Sequence, residues 1–402
     1  GIPINYSLQT GYARSATRFR QYPSSAEKFF RADGSLYELG DTWLQPDLSH
    51  TLELIQNNGR DGFYKGENAK KLADFMAANG GMITEEDLEI YEAVEREPIR
   101  GTYRGYEIVS MPPPSSGGTA LVQMLNILEG YDLASLGHNS ADYLHVLTEA
   151  MRRAYADRAE HLGDPDFNES MPLDRLMDKE YAAGLRASID MDEKSVSSPS
   201  EFAQAYESEE TTHFSVVDKD GNMVSLTYTL EFGYGSAIVA EGAGYLLNNE
   251  LGDFNAVPGL TDIRGNIGTA PNLVAAEKRP LSSMTPTIVA LNGRPLFATG
   301  SPGGKTIINT VMQTILNIVD HGFNIAESIE APRIHHQWLP DFTSIESSGF
   351  SPDTLRLYAD KGHNTSERGS QGAAMGVYFN REEGLFEGSA DSRRGDGAAV
   401  GY

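Results

Sequence analysis

Apolar side chains recur every three or four residues through the first half of the chain, which predicts a mainly helical region there. Residues 49–58 and 68–79 both show this spacing, and a glycine follows each of them. Thr84 and Asp87 have the spacing of a capping box, in which side chains satisfy the first amides of a helix. The longest helix is predicted over residues 140–162. Its inward face is expected to carry Leu144, Leu147, Met151 and Tyr155.

The pattern changes to alternation at residue 211. Residues 211–217 and 222–230 are rich in β-branched side chains, and the turn between them contains Asp220-Gly221, a strong hairpin signal. Further elements are predicted downstream: a strand over 296–299, a glycine-rich bend over 300–304 and an apolar helix over 306–320. Because strands and helices mix without a repeated βαβ spacing, we predict an α+β layered fold rather than a doubly wound one.

The hairpin predicts which side chains meet across it. In an antiparallel pair closed near residue 220, facing residues have numbers that sum to about 440. Thr211 is therefore expected opposite Thr229, to within one residue of register. Opposed side chains lie close together, so the two hydroxyls come within hydrogen-bonding reach. Such a pair is also ordinary in sheets, and the hairpin alone leaves both interpretations open.

The chain directly before Thr211 gives this pair a chemical meaning. Residues 191–210 are polar and acidic, and predict an exposed linker. A threonine hydroxyl is a poor nucleophile and needs an adjacent base. Cleavage of the Glu210–Thr211 bond would create that base, because a free α-amine has a pKa of about 7.7–8. The alternative interpretation is an exposed strand start without a catalytic role.

Acyl transfer also needs donors for a developing oxyanion. Residues 299–304 lie between a predicted strand and a predicted helix, and their glycines can present backbone N–H groups without hindrance. Gly304-Lys305-Thr306 resembles the end of a phosphate-binding loop. The first glycine of that motif would have to stand at position 299, which is Thr299, so a nucleotide site is not predicted.

Two further pairs of polar residues would have a binding role only if a ligand lay beside them. Glu250 and Asp253 form a carboxylate pair near the edge of an apolar run, and a function for them requires a cationic ligand group. Without one they are solvated acids in a turn. Ser282 and Ser283 are likewise a turn by default and an anion-binding pair only beside other ligand contacts.

Composition narrows the classes of function. The 402 residues suffice for one large domain or two to three smaller ones. The formal net charge of −25 argues against nucleic acid and anionic membranes as partners. No cysteine is present, which excludes disulfides and cysteine nucleophiles. His335 and His336 lack a third ligand at metal-site spacing, so we interpret them as packing residues and expect no metal.

Several motifs occur together in one order. They are Met111-Pro112-Pro113-Pro114-Ser115-Ser116-Gly117-Gly118, Tyr155-Ala156-Asp157-Arg158, Thr211-Thr212-His213-Phe214-Ser215-Val216-Val217-Asp218, Leu247-Asn248-Asn249, Lys278-Arg279-Pro280-Leu281-Ser282-Ser283-Met284-Thr285-Pro286-Thr287, Gly300-Ser301-Pro302-Gly303-Gly304 and Ala331-Pro332-Arg333 through Trp338. Together they resemble γ-glutamyltransferases, also called γ-glutamyltranspeptidases, which are N-terminal-nucleophile hydrolases. The resemblance runs from about residue 40 to the C-terminus.

The resemblance implies an αββα sandwich and a precursor that cuts itself between Glu210 and Thr211. The resulting fragments, residues 1–210 and 211–402, would associate as one domain. The remaining roles are also implied by the family: Thr211 as nucleophile with its own amine as base, Thr229 as the residue that orients it, Gly303 and Gly304 as the oxyanion hole, Ser282 and Ser283 as ligands of the substrate α-carboxylate, and Asp253 as the ligand of its α-ammonium.

Departures from the family pattern concern substrate binding. Glu231 and Glu250 stand where many members have Asn and Gln, so three carboxylates would surround one ammonium. Crowding of like charges is expected to raise a carboxyl pKa there. Arg264 stands where a gating aromatic residue is often found. The family also begins with a segment that carries a carboxylate-binding arginine and a secretion signal; the sequence contains neither, and we expect it to be truncated at its N-terminus.

The sequence therefore predicts an enzyme that cleaves the γ-glutamyl amide of glutathione and related donors. The acyl group would pass to water, an amino acid or a peptide, with no cofactor, and the location would be periplasmic or secreted. One alternative is an acylase that removes β-lactam side chains (glutaryl or cephalosporin) on the same scaffold. Another is a non-catalytic truncated homologue that acts as a binding or scaffold protein.

Overall fold

The computed structural model of the chain describes residues 1–198 and 211–401. The chain forms two compact units. The smaller unit comprises Gly1–Arg96 and Phe232–Asn249, and the larger comprises Glu97–Glu231 and Glu250–Tyr402. Each unit thus contains chain from both sides of Thr211. The predicted division into fragments 1–210 and 211–402 stays a prediction.

The smaller unit is helical with one short strand pair. Its elements are β1 (Ile2–Pro3) and β2 (Thr42–Trp43), which pair antiparallel, and helices α1 (Tyr6–Phe19), α2 (Pro23–Phe29), α3 (Pro46–Asn58), α4 (Arg60–Tyr64), α5 (Gly66–Ala78) and α6 (Glu85–Ile90). Stacked rings of Phe19 and Phe29, 3.9 Å apart, form the centre of an aromatic core. The helices predicted over 49–58 and 68–79 are confirmed as α3 and α5. The capping box of Thr84 and Asp87 is also present.

The larger unit contains the sheets. Its helices are α7 (Gly117–Leu128), α8 (Leu133–Leu136), α9 (Ala141–His161), α10 (Leu173–Leu176), α11 (Lys179–Ala187), α12 (Thr306–Val319), α13 (Ile325–Glu330) and α14 (Pro352–Asp360). Its strands are β3 (Ile99–Tyr103), β4 (Tyr106–Ser110), β5 (Thr212–Val217), β6 (Met223–Tyr228), β7 (Thr287–Leu291), β8 (Arg294–Gly300), β9 (Ile334–His335), β10 (Thr343–Glu346), β11 (Thr365–Arg368), β12 (Met375–Asn380) and β13 (Leu385–Ala390). Short 3-10 helices cover Glu250–Asp253 and Ala270–Asn272.

An antiparallel sheet organises this unit, with strand order β13-β12-β8-β7-β4-β3 among the described residues. Strands β9, β10 and β11 form a separate sheet, and β5 pairs with β6. The side chain of Phe297 on β8 belongs to the core formed with α7, α9 and α12. A side chain at Gly300, three residues further, would point into His213 of the β5–β6 hairpin. Helices and hairpin therefore cover opposite faces of the sheet.

The sequence predicted the helices of this unit better than its first strands. Helix α9 lies within the predicted 140–162, and its four expected inward side chains are buried. The prediction of a mainly helical first half was wrong for β3 and β4, which form one edge of the large sheet. Strand β4 pairs with β7 in the register Ser110 to Thr287, so the edge is built from distant parts of the chain.

The hairpin has the predicted register. Every pair from Thr212–Tyr228 to Val217–Met223 has residue numbers that sum to 440. Its inner face is polar, because His213, Ser215 and Ser225 point toward the large sheet. Its outer face is apolar and exposed to solvent. The exposed side chains are Phe214, Val216, Val224, Leu226 and Tyr228.

The predicted exposed linker over residues 191–210 is exposed at Asp192, Glu193 and Val196, but the prediction was wrong for Lys194, Ser195 and Ser197. Lys194 forms an ion pair of 2.8 Å with Asp341, and the Ser195 amide donates to the Glu149 carboxylate at 3.1 Å. The Ser197 hydroxyl accepts a hydrogen bond from Arg152. Partners distant in sequence, two of them on α9, thus hold Lys194, Ser195 and Ser197 in place. The rest of the predicted linker, including Glu210, lies outside the described residues.

We expect Glu149→Gln to lower the free energy of unfolding at pH 7 by about 3 kcal/mol, because it removes one charge from a buried ion pair. Burial alone would raise the pKa of Glu149, but the Ser195 hydrogen bond and the charges of Arg152 and Arg153 outweigh it and lower the pKa to about 2. A carboxyl with a lowered folded pKa stabilises the fold above its unfolded pKa and loses that contribution as pH falls toward the folded value. The difference between variant and wild type in urea unfolding should therefore shrink between about pH 4.5 and 2.

Glu160→Gln, on the exposed side of the same helix, is the matched control and should change stability by less than about 0.5 kcal/mol. An equal loss for Glu149→Gln at pH 7 and at pH 3 would show that its charge is not what stabilises this region.

No helix within residues 1–198 and 211–401 is long and apolar enough to cross a membrane.

Candidate active site

Most of the predicted site residues line one cavity of about 160 Å³ in the larger unit. The predicted residues that line it are Thr211, Thr229, Glu231, Asp253, Ser282, Ser283 and Gly304. Glu250 and Gly303 are not among the lining residues. Gly303 directly precedes the lining residue Gly304, and Glu250 is close enough to Asp253 and Glu231 for their charges to act on it. The structure thus brings together residues separated by up to 93 positions, and their roles stay predictions.

The two predicted threonines meet at the end of the hairpin. The Oγ1 of Thr211 lies 3.4 Å from the Oγ1 of Thr229 and donates to it. The Glu231 amide donates to the same Thr229 oxygen at 2.9 Å, which fixes its position. Only 8% of Thr211 is exposed, so its hydroxyl opens toward the cavity rather than to bulk solvent. The juxtaposition predicted from the hairpin register is present.

A buried histidine below Thr211 was not predicted as part of the site. The Nδ1 of His213 lies 2.8 Å from the Thr227 hydroxyl, and its Nε2 lies 3.0 Å from the Ser215 hydroxyl. Burial lowers its pKa to about 4, so the ring is neutral at pH 7. A Cβ on Gly300 would lie 2.2 Å from the ring. Gly300 therefore lets the hairpin pack directly against the end of β8.

The glycine-rich bend after β8 has a conformation that requires glycine. Gly303 has φ +136° and Gly304 has φ +56°, both in the left-handed region. Their carbonyl groups accept from the amides of Thr306 and Ile307 in the first turn of α12, each at 3.1 Å. Free amides at the start of a helix point away from it and attract negative charge. The bend can therefore offer N–H groups to an anion at the Gly304 side of the cavity.

One pole of the cavity is acidic. A Cβ on Gly252 would lie 2.7 Å from a carboxylate oxygen of Glu231, so that carboxylate packs over bare backbone. Glu231 has φ +70°, a conformation that costs a non-glycine residue about 1–3 kcal/mol. Burial, and then the charges of Asp253 and Glu231, raise the pKa of Glu250 to about 7. The sequence predicted the upward direction from charge crowding, whereas burial is the larger cause.

The opposite pole carries hydroxyl groups backed by an arginine. Arg158 lines the cavity and donates to the Ser283 hydroxyl at 2.9 Å. Arg158 belongs to the motif Tyr155-Ala156-Asp157-Arg158, but the sequence pattern predicted no role for it. Its position could have indicated a role, because it lies in the last turn of a long helix whose inward side chains were correctly predicted.

Asn272 joins the two poles. Its Nδ2 donates to the Asp253 carbonyl at 2.7 Å, and its Oδ1 accepts from the Leu281 amide at 2.9 Å. Because Leu281 directly precedes the serine pair, one buried side chain fixes the spacing between the acids and the hydroxyls. An acidic pole and a hydroxyl pole at fixed spacing suit a ligand that carries both an ammonium and a carboxylate.

The loop over residues 258–269 contributes part of the cavity wall through Leu260, Gly265, Asn266 and Ile267. Arg264 is not among the lining residues. Its Nε donates to the Asp262 carboxylate at 3.0 Å, so its guanidinium is held within its own loop.

His335 and His336 are buried, and the Nδ1 of His335 lies 2.7 Å from the Asn309 amide nitrogen. His335 also lies 2.8 Å from the Gln337 side-chain oxygen, and His336 lies 3.3 Å from the Asp341 carboxylate, so both rings are hydrogen-bonded in the interior. No group of three or more potential metal ligands was found within the described parts of the chain.

Comparisons with known proteins identify the family of the chain. The sequence model of the family described as Gamma-glutamyltranspeptidase matches residues 1–401. The glutathione hydrolase proenzyme of Escherichia coli (strain K12) is 48% identical over 405 residues, which cover 100% of this chain and 69% of that protein. The glutathione hydrolase proenzyme of Pseudomonas sp. (strain A14) is 42% identical over 397 residues, which cover 96% of this chain and 69% of that protein.

Among solved structures, the crystal structure of cephalosporin acylase from Bacillus halodurans matches with a TM-score of 0.82 and 25% identity. The match covers 98% of this chain and 70% of that one. The α+β fold and these matches place the chain in the N-terminal-nucleophile hydrolase class. The chain belongs to the γ-glutamyltranspeptidase family.

Proposed function

We propose that this chain carries the active site of a glutathione hydrolase that also transfers γ-glutamyl groups. Cleavage of the Glu210–Thr211 peptide bond would free the α-amine of Thr211. The amine takes the proton of the Thr211 hydroxyl, whose oxygen attacks the γ-carbonyl carbon of the donor. Amides near Gly303 and Gly304 stabilise the tetrahedral oxyanion. Its collapse passes the proton to the leaving amine and leaves a γ-glutamyl ester on Thr211.

The second half of the reaction regenerates the enzyme. Water, or the amine of an amino acid or peptide, attacks the ester carbonyl and gives its proton to the Thr211 amine. The Thr211 oxygen then leaves as a hydroxyl and takes that proton back, and Thr229 keeps it oriented throughout. No step calls on a group beyond the chain, the donor and the acceptor.

The observation that carries this proposal is the pairing of an acidic pole and a hydroxyl pole in the cavity that contains Thr211. The α-ammonium of a γ-glutamyl group would lie among Glu231, Glu250 and Asp253. Its α-carboxylate would lie at Ser282 and Ser283. A glutaryl group has no ammonium, so it would leave the acids uncompensated and bind poorly.

Hydrolysis of γ-glutamyl-p-nitroanilide and of glutaryl-p-nitroanilide tests the proposal directly. We expect kcat/KM to be at least about 100-fold higher for the γ-glutamyl compound, equivalent to about 2.7 kcal/mol. The match to cephalosporin acylase makes a β-lactam side-chain acylase the second candidate, and a preference for the glutaryl compound would favour it. A single uncut chain that hydrolyses neither compound would favour the scaffold alternative.

The pKa of Glu250 leads to a pH prediction for donor binding. An ammonium beside this carboxyl would lower its pKa of about 7, so below pH 7 the donor binds with release of a proton. The KM for γ-glutamyl-p-nitroanilide should therefore fall as pH rises from about 5.5 to 7.5, by up to about tenfold per pH unit. We expect Glu250→Gln to flatten this dependence.

Glu241→Gln, at an exposed position, is the control and should keep the wild-type pH dependence. If Glu250→Gln keeps it as well, another group controls the binding of the ammonium.

The two predicted fragments would stay together after cleavage. Strand β4 precedes Thr211 and pairs with β7, which follows it, in the same sheet. Helix α7 of the first fragment and α12 of the second share one buried core. Separation would expose this core and break the β4–β7 hydrogen bonds. Periplasmic or secreted location remains part of the proposal, and it is supported by the family resemblance.

A further inference from the structure

Arg158 is a buried cation whose contacts differ from those of the other buried arginines. It is 7% exposed, and its Nε and Nη2 donate to the hydroxyls of Ser116 and Ser283 at 2.8 and 2.9 Å. Arg152 and Arg333, in contrast, form ion pairs with Glu149 and Asp391 at 3.1 and 2.7 Å. Among the described residues, no carboxylate forms an ion pair with Arg158. Its charge faces a cavity, and a buried charge without a counter-charge is costly.

The donor direction of these hydrogen bonds determines what the serines offer to a ligand. A guanidinium only donates, so the Ser283 oxygen accepts and its single hydrogen remains to donate elsewhere. The Ser282 oxygen accepts from the Met284 amide at 3.0 Å, so the hydrogen of the Ser282 hydroxyl also remains to donate elsewhere. Ser116 uses its hydrogen on the Ser282 carbonyl at 2.8 Å. Within the described residues, neither hydroxyl of the pair donates to a protein acceptor.

We propose that Arg158 is a positioning residue for Ser283 and adds a positive charge beside the α-carboxylate of the γ-glutamyl donor. It holds the Ser283 oxygen as an acceptor, so that the Ser283 hydroxyl donates into the cavity beside that of Ser282. The donor carboxylate accepts these hydrogens and supplies the negative charge that the arginine lacks. The inference rests on the proposed function and adds a residue to it. The cavity then has Arg158 at one pole and the three carboxylates at the other.

The test compares two donors that differ only in charge: γ-glutamyl-p-nitroanilide and the same compound with its α-carboxylate converted to a primary amide. We expect Arg158→Met to raise KM for the carboxylate donor at least about 30-fold, with kcat within about threefold. KM for the amide donor should change less than about threefold. Arg158→Lys keeps the charge but loses the two-pronged geometry, and should raise KM for the carboxylate donor about tenfold.

Arg153→Lys is the matched control. Arg153 lies on the same helix, is largely buried and pairs with Glu149 at 2.6 Å, but is not among the residues lining the cavity. Both KM values should stay within about twofold of wild type. Equal changes for the two donors in Arg158→Lys, or no change for either, would overturn the proposal. Because the lysine variant keeps a buried cation, it serves as the test even if Arg158→Met does not fold.

Failure of the proposed function would be visible separately. If the wild type hydrolyses neither donor, calorimetric binding of L-glutamate and of its α-amide still tests Arg158 without turnover. We then expect wild type to bind L-glutamate at least about tenfold more tightly than the amide, and Arg158→Lys to reduce that ratio. Equal affinities in the wild type would overturn the role of Arg158 in carboxylate recognition.

Discussion

Thr211→Ala is expected to leave a single uncut chain with turnover reduced by at least about 10⁴-fold. The substitution removes the hydroxyl that lies 3.4 Å from Thr229 and opens into the cavity. Without it, neither the proposed cleavage ahead of residue 211 nor the ester intermediate can form. Intact-mass measurement and N-terminal sequencing report the cleavage, and hydrolysis of γ-glutamyl-p-nitroanilide reports the turnover.

Thr212→Ala is the matched control, because the neighbouring hydroxyl lies on the exposed face of the hairpin. This variant should be cut and active at close to wild-type rates. Thr211→Ser keeps a hydroxyl and should retain slower cleavage and turnover. A fully active wild type with an unbroken bond at this position would exclude the proposed mechanism, as would normal cleavage of Thr211→Ala.

Gly303→Ala is expected to reduce kcat by about 10²–10³-fold with little change in KM, because it disturbs donors that act on the transition state. Gly303 has φ +136°, a region that alanine rarely adopts, and the added Cβ would lie 2.3 Å from the Thr306 hydroxyl. That hydroxyl itself donates to the Gly303 carbonyl at 2.7 Å. Relief of the clash therefore rotates the peptide that joins Gly303 to Gly304, which lines the cavity. Steady-state kinetics with the γ-glutamyl anilide measures the effect.

Gly322→Ala separates this effect from general backbone strain. Gly322 also has a positive φ, +69°, but it follows the end of α12, and nothing lies within 4 Å of an added Cβ. This variant should lose some stability and keep its kcat. If Gly303→Ala retains wild-type kcat, the glycine bend does not form the oxyanion site.

Local periodicity predicted the elements that lie closest to the proposed nucleophile. The alternation on both sides of Asp220-Gly221 fixed the hairpin register, because only one register keeps each side chain on its own face. The same reasoning failed for β3 and β4. A turn signal was present at Arg104-Gly105, both with positive φ, but the short strands beside it are interrupted by Gly101. β3 and β4 pair with each other, and β4 joins the large sheet through β7, far away in sequence.

The polar contacts of the site could not be predicted from local pattern. Arg158 and Ser283 are 125 positions apart, and Asn272 meets Asp253 and Leu281 only because the chain turns back on itself. Acidic composition predicted exposure for the segment after residue 190. Composition does not reveal the buried Arg152 and Glu149 that bind that segment. Residue type indicated which chemistry was present, whereas tertiary contacts determine which charges are balanced.

The outward face of the β5–β6 hairpin has a consequence for the behaviour of this chain in solution. Large apolar side chains there are 37–57% exposed, beside strand edges that pair with no other described strand. At low ionic strength the net charge of −25 keeps molecules apart by mutual repulsion. Concentrated salt reduces the screening length, over which the charges repel, to about 3 Å, and it strengthens apolar contacts. The chain should therefore remain dispersed in dilute buffer and begin to aggregate at this hairpin when salt is added.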